Sequence, residues 1–421
     1  MAAAQSLFIY RIIKYLFEIM NRRKFIKQSG LLAGGLLLHN TWLHAFAANA
    51  SGKKITVGII GCGDRGKGLM EVLKKLNDKF TVTAICDVLD FRLEEAKKLA
   101  ATATFALHKE YRAVLDDKHI QAVIIATPLH LHHEMAVAAL KAGKHVYLEK
   151  IMAYSVPQVM DLVKQAKQYP RQVLQVGHQD RYTPMCFKVK EMIEKDYLGK
   201  VTEIDCRWDR NGNWRKPVPA GISDEVINWR MYKKFSAGLV AELLSHQIDF
   251  INCVFNTHPD EIFATGGIDY YKDGRETFDN VQVMVRYDKE GMIGNFGATC
   301  GNAFDGFSFK IKGTKGTVHL IMEQGIYFPE KEQKKKLETA DGVSGATKIT
   351  WNKDGGIPVI NTPMKEGTWY AFNDFYECVT KNKMPVSNAI TGATTATCVH
   401  LANKAMYNHS IEKWLPEHNY K

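Results

Sequence analysis

The sequence predicts an α/β protein of two domains, the first a doubly wound parallel sheet and the second an α/β unit with antiparallel hairpins. Three observations predict it. The 421 residues are too many for one ordinary core. From residue 54 to about 176, β-branched runs alternate with helix-like segments, as in a parallel sheet with helices on both faces. Beyond residue 177 strand-like runs come in pairs joined by short glycine turns, as hairpins do.

Composition excludes several classes. With 46% hydrophobic and 24% charged residues the chain reads as a soluble globular protein, neither disordered nor collagen-like. Much of the net charge of +11 sits at the start, where Arg11, Lys14, Arg22, Arg23, Lys24 and Lys27 face only Glu18. The remainder is too small for a nucleic-acid footprint, and the basic run Lys331–Lys336 lacks interleaved aromatics. The eight cysteines stand singly, without a C-x-x-C pair, and are expected to be reduced and mostly buried.

Residues 1–50 read as a leader. The stretch NRRKFIK (Asn21–Lys27) precedes the apolar run Ser29–Leu38, and Ala45-Phe46-Ala47 and Ala48-Asn49-Ala50 offer small-x-small cleavage sites. The run falls short of the roughly 18 residues a membrane span needs, so no stable membrane anchor is expected. The arrangement resembles a twin-arginine signal, a class that exports proteins already folded. A periplasmic location is the expectation and a cytoplasmic one the alternative; Met20, directly before the signal, is the expected start.

Residues 54–176 read as the first domain. The strand-like KITVGII (Lys54–Ile60) ends in Gly61-Cys62-Gly63-Asp64-Arg65-Gly66, and the helix-like GLMEVLKKL follows. That context makes G-x-G-x-x-G a dinucleotide loop: the glycines permit a tight turn and close backbone approach, and the helix N-terminus binds a pyrophosphate. The next strand, FTVTAIC, ends at Asp87, where a carboxylate meets a ribose 2′-hydroxyl and repels a 2′-phosphate; NAD is therefore expected over NADP. A helix around Asp90–Ala100, a strand QAVIIA, a helix through EMAVAALKAG and a strand HVYLE continue the alternation. The loop Thr127-Pro128-Leu129-His130-Leu131-His132 and the pair Glu149-Lys150 leave the carboxyl edge of the sheet and should face the nicotinamide end of the cofactor.

The stretch ATPLHLHHEMAVAALKAGKHVYLEK then resembles the T-P-x-H-x-H … A-G-K-H-V-x-x-E-K-P signature of the glucose–fructose oxidoreductase, inositol dehydrogenase and rhizopine-catabolism family, with Ile151 where that family usually has proline. The likeness runs from about Ile55 to about His409. It implies a Rossmann domain followed, over residues 177–421, by an α/β domain with a large open antiparallel sheet that often packs against a partner subunit. Independent support comes from two hairpin patterns, VQVMVRY with MIGNFGATC and FSFKIK with TVHLIM, and from closing helices near Tyr370–Thr380 and Thr391–Tyr407.

Oxidising a sugar alcohol requires a base for the hydroxyl proton, a cation or donor on the oxygen, and an acceptor close to the reacting carbon. The resemblance implies that Lys150, from the E-K motif, and His246, from a D-x-x-x-H motif whose aspartate is here Glu242, form this centre. Glu242 and His246 are four apart and Asp249 three further on, so all three are expected along one helical stripe, with Ala241, Leu244, Ile248 and Ile251 on the packing side. His130, His132 and His133 have no cysteine or carboxylate triad nearby in sequence, so no metal site is expected. Substrate contacts are expected from His178, Arg181 and Tyr182 at the domain junction, from His246 and Asp249, and from Trp214, Arg215, Trp229 and Arg230 in long loops, because a sugar's faces and hydroxyls call for rings and polar forks.

The leading reading is an exported NAD-dependent oxidoreductase acting on a sugar or glycoside hydroxyl, such as C3 of a glucoside, with tightly held cofactor and an external acceptor or keto-sugar-cleaving partner enzyme. A redox-neutral NAD-dependent glycoside hydrolase, which oxidises, eliminates, hydrates and reduces, is the alternative. A non-catalytic sugar-binding protein is the third, and retention of both Lys150 and the Glu242/His246 pair argues against it.

Overall fold

The computed structural model describes residues 54–99, 105–322, 324–331 and 355–420; the leader and most of the basic run Lys331–Lys336 lie outside them. The first domain is a six-stranded parallel sheet of β1 (Ile55–Ile60), β2 (Phe80–Cys86), β3 (Ala106–His108), β4 (Ala122–Ile125), β5 (His145–Leu148) and β6 (Leu174–Val176). Its order is β3-β2-β1-β4-β5-β6, so the direction of winding reverses between β1 and β4, and ligands bind at that switch point in such sheets. The helices α1 (Asp64–Lys75), α2 (Asp90–Leu99), α3 (Tyr111–Asp116), α4 (His132–Lys141) and α5 (Val156–Gln168) are the crossovers. Every residue of β4 is buried, as strands covered on both faces require.

Among the described residues the second domain holds nine strands: β7 (Val201–Asn211), β8 (Glu261–Gly267), β9 (Asn280–Tyr287), β10 (Met292–Thr299), β11 (Gly301–Gly313), β12 (Gly316–Ile321), β13 (Gln324–Pro329), β14 (Ile357–Pro358) and β15 (Ile411–Lys413). The helices α6 (Pro184–Glu194), α7 (Asp224–Ile227), α8 (Ser245–Phe255), α9 (Gly367–Lys381) and α10 (Ala389–Asn408) accompany them. Both expected hairpins form, β9 with β10 and β11 with β12. The sheet is mixed rather than wholly antiparallel, because β7 inserts between β10 and β11 and runs parallel to β10. Alternation sorts its faces: Val281, Val283 and Val285 are buried on β9, while Met284 is exposed. Asn388 explains why α10 begins ahead of the apolar pattern, since its side chain accepts the Ile390 and Thr391 N–H groups.

Helix α9 packs on the first sheet although it lies far along the chain. Phe372 and Phe375 sit 4.7 and 6.0 Å from Tyr147, and 5.9 and 6.4 Å from Phe80, between ring centroids. Burying each ring contributes roughly 1.5–3 kcal/mol.

Beside α8 lies a buried ion pair. Arg181 Nε donates to Asp249 Oδ2 at 2.6 Å, and the Thr395 hydroxyl donates to Asp249 Oδ1 at 2.8 Å. Both charged side chains are almost wholly buried, so removing one partner strands the other. Arg181→Met should cost about 3–5 kcal/mol in denaturant unfolding, and the double variant Arg181→Met/Asp249→Leu should cost clearly less than the single one.

Burial also pushes His400 down to about 4, against an ordinary value near 6.5. Its Nε2 lies 3.0 Å from the Ala153 carbonyl. The unfolded chain therefore takes up a proton on this ring between about pH 6.5 and 4 while the folded chain does not, and stability falls as pH falls through that window. His400→Gln should remove up to about 3 kcal/mol of this acid sensitivity, read from urea midpoints at pH 7 and pH 4.5.

Candidate active site

At the carboxyl edge of the parallel sheet a cleft of about 650 Å³ runs from the glycine loop to the base of α8. The three motif glycines play distinct parts. Gly61 adopts φ +96°, and a Cβ there would lie 2.5 Å from the Ala126 carbonyl oxygen; a Cβ at Gly66 would lie 1.9 Å from the Gly61 carbonyl oxygen. A Cβ at Gly63 would meet nothing nearer than Arg92 at 3.8 Å, so that glycine opens onto the cleft. A tight turn, an open backbone and a close strand–helix contact are what a dinucleotide pyrophosphate over the start of α1 demands. Asp87 lines the cleft at the end of β2 and accepts the Cys62 N–H at 2.8 Å and the Leu89 N–H at 3.0 Å, which fix its carboxylate there. The donor set thus fits NAD.

Other loop residues are held by partners. Arg65 Nε donates to Glu149 Oε1 at 2.8 Å and its other arm reaches Thr368 of α9 at 3.3 Å. Asp64 pairs across the cleft mouth with Lys216 of the second domain. Thr127, Pro128, His130 and His132 line the cleft. His132 is a buried staple, its ring nitrogens 2.8 and 3.0 Å from the Ile151 and Thr127 carbonyl oxygens. His130 packs on Phe235 at 4.7 Å, and burial lowers its pKa. His133 turns away to Asp161 at 2.8 Å. Among the described residues no cluster of three metal-ligating side chains occurs.

Lys150 and His246 come from different domains and line the same cleft. The Lys150–Ile151 peptide is cis. Lys150 Nζ donates to the Ala241 carbonyl at 3.1 Å and the Glu242 carbonyl at 2.7 Å. Burial pushes its ammonium below the ordinary lysine range, with Glu242 and Glu149 opposing. The two acceptors belong to Val240–Leu244, a π-helical turn leading into α8. That wider turn corrects the expected stripe of Glu242, His246 and Asp249. Glu242 accepts from Arg230 Nε at 2.9 Å, and Asp249 points to Arg181 on the buried side. Burial works to raise the Glu242 carboxyl, but Arg230 and Lys150 prevail and hold it below its usual range. The carboxylate facing His246 is instead Asp180, whose Oδ2 lies 3.6 Å from Nδ1. Trp208, 5.2 Å away between ring centroids, forms one wall against the imidazole.

The expected substrate residues divide. Trp214, Trp229 and Arg230 line the cleft, the last stacked on Trp229 at 4.3 Å. His178, Arg181, Tyr182 and Asp249 do not: they are buried beneath it. Tyr182 packs under the first sheet and accepts the Ser387 N–H at 2.9 Å. Burial pushes His178 down to about 4, although Asp249 lies 3.5 Å away. Arg215 is drawn off by Asp224, at 2.7 and 2.8 Å. Gln179, in the same junction stretch, lines the cleft, and sequence reasoning missed Trp208 and Arg210 beside it. Arg210 stacks on Trp214 at 4.2 Å, has no ion-pair partner among the described residues, and carries a buried Nε without a hydrogen bond. Alternation along β7 was the available signal, since Trp208 and Arg210 share one face of that strand.

Residues 55–178 match the model of an oxidoreductase family with an NAD-binding Rossmann fold, and residues 187–319 match the GFO/IDH/MocA C-terminal domain. An inositol 2-dehydrogenase/D-chiro-inositol 3-dehydrogenase of Lactiplantibacillus plantarum is 33% identical over 178 residues, 42% of this chain and about half, 49%, of that protein. Levoglucosan dehydrogenase of Pseudarthrobacter phenanthrenivorans is 27% identical over 301 residues, 65% of this chain and 75% of its own length. A solved levoglucosan dehydrogenase in complex with NADH and levoglucosan shares the fold, with a TM-score of 0.68 at 20% identity over 86% of this chain and 99% of that one. With both domain models matched in sequence order around one cleft, the chain belongs to the GFO/IDH/MocA oxidoreductase family and binds NAD through its Rossmann domain.

Proposed function

We propose that the protein oxidises a hydroxyl of a sugar or glycoside, C3 of a glucoside being the position of choice, in the periplasm and with tightly held NAD. The observation that carries this reading is the meeting of Lys150 and His246 in the cleft that the glycine loop opens. NAD, when bound, supplies the acceptor for the hydrogen and electron pair leaving the substrate carbon. His246, with Asp180 Oδ2 3.6 Å from its Nδ1, is the base that accepts the hydroxyl proton. The Lys150 ammonium, oriented by two carbonyls, donates to the substrate oxygen as negative charge develops on it. Trp208, Trp214 and Trp229 offer faces to the sugar ring, and Arg210 offers a fork to its hydroxyls. The dehydrogenase names of the inositol and levoglucosan relatives support the substrate class.

Redox-neutral glycoside hydrolysis is the second reading, favoured by 27% identity over 216 residues to a glycosyl hydrolase family 109 protein of Shewanella amazonensis, 46% of this chain and 45% of that one. A homo-oligomer joined through the open sheet is part of the proposal, supported by Phe263, Met284 and Ile293, each about half exposed on neighbouring strands β8, β9 and β10. Light scattering on the purified protein should give a multiple of the chain mass, and a monomer at micromolar concentration would remove this part.

Mass spectrometry of products from a panel of glucosides and disaccharides, with and without an electron acceptor, separates the two readings. Loss of a pair of hydrogens from an intact glycoside supports oxidation, whereas free sugar and aglycone without net oxidation support hydrolysis. Lys150→Met and His246→Gln should each lower kcat by roughly 10²–10⁴-fold while NADH binding, read by fluorescence, persists. Unchanged turnover in either variant overturns the assigned roles.

A further inference from the structure

We infer that Cys186 and Cys253 form a thiol–disulfide exchange site that takes a small-molecule disulfide and converts it to two thiols while the pair closes into a protein disulfide. Eight free cysteines are spread through the structure, yet these two sulfurs lie only 3.9 Å apart. Cys186 stands in the first turn of α6, its N–H donating to the Thr183 hydroxyl at 3.2 Å, and Cys253 in the last turn of α8. A disulfide needs about 2.05 Å between sulfurs, so closure asks the two sulfurs to approach by about 1.9 Å.

The surroundings set the order of reaction. Cys186 is buried and Cys253 is partly exposed, so an incoming disulfide meets Cys253 first. Cys186 donates its S–H to Cys253, which with the nearby Arg181 guanidinium brings the Cys253 thiol down to about 7. The other thiols are pushed the opposite way by burial, Cys62, Cys86, Cys378 and Cys398 up to about 12. Cys253 thiolate attacks one sulfur of the incoming disulfide, the reagent's S–S bond breaks, and one thiol leaves. Cys186 then gives up its proton and attacks Cys253 Sγ, the mixed disulfide breaks, and the second thiol leaves. The protein dithiol is oxidised by two electrons and the reagent is reduced by two.

The product ties the start of α6 to the end of α8 across a separation of 67 residues, on the helix that carries His246. Cross-linking over such a distance constrains the unfolded chain strongly.

The test uses the full chain without its leader, incubated with oxidised glutathione, denatured, and labelled with N-ethylmaleimide. The expected result is that six of the eight thiols take label, that a peptide map joins Cys186 to Cys253, and that dithiothreitol restores all eight. Melting temperature should rise by several degrees on oxidation. Cys186→Ser should stop at a glutathione adduct on Cys253, and Cys253→Ser should take up no glutathione. Eight labelled thiols in the treated wild type, a lasting glutathione adduct on it, a link through other cysteines, or uptake at Cys186 in Cys253→Ser would each overturn the inference.

Discussion

The site depends on one contact, the Lys150 ammonium against the Ala241 and Glu242 carbonyls. Lys150 leaves the end of β5 in the first domain, and its acceptors lie in the turn that opens α8 in the second. A π-helical turn shifts the helical hydrogen bonds by one residue, and the Ala241 carbonyl there also accepts from the Ser245 hydroxyl at 2.6 Å. The lysine adds two further donors to the turn, and the turn holds the lysine in place. Because His246 follows two residues after the turn, one interaction sets the spacing of two functional groups drawn from separate parts of the chain.

Charge in and under the cleft follows a consistent pattern. Arg230 is matched by Glu242, Arg65 by Glu149 and Arg181 by Asp249. These pairs neutralise the framework and fix its side chains, so the groups left to meet a ligand are few. Arg210, resting on Trp214, is the conspicuous one. His178, kept neutral by burial between His246 and Asp249, separates the working imidazole from the structural ion pair beneath it.

Much of the first domain was legible because its signals are local. The glycine loop, the strand before it and Asp87 declare themselves by spacing alone, and the structure gives each glycine a separate task. In the second domain the hairpins were legible for the same reason, but the insertion of β7 between β10 and β11 was not, since nothing local records which strand arrives beside an existing hairpin. The catalytic stripe failed for a physical reason. Equal spacing of Glu242, His246 and Asp249 assumes 3.6 residues per turn, and a single π turn, sustained by a lysine some ninety positions earlier, rotates Glu242 toward Arg230 instead. Asp180 was overlooked in a stretch whose neighbours His178, Arg181 and Tyr182 looked more like ligands; burial sends those three inward and leaves the aspartate facing the imidazole.

Helix α9 carries a consequence for the order in which the molecule is made. Phe372 and Phe375 cover a face of the sheet whose strands are translated hundreds of residues earlier, and Thr368 reaches Arg65 in the glycine loop. As the nascent chain leaves the ribosome, the nucleotide-binding half emerges first but keeps an apolar flank uncovered until almost the last residues are synthesised. It is finished only after the rest has been made, so a cut between the two sequence-defined halves would free neither as a self-sufficient piece.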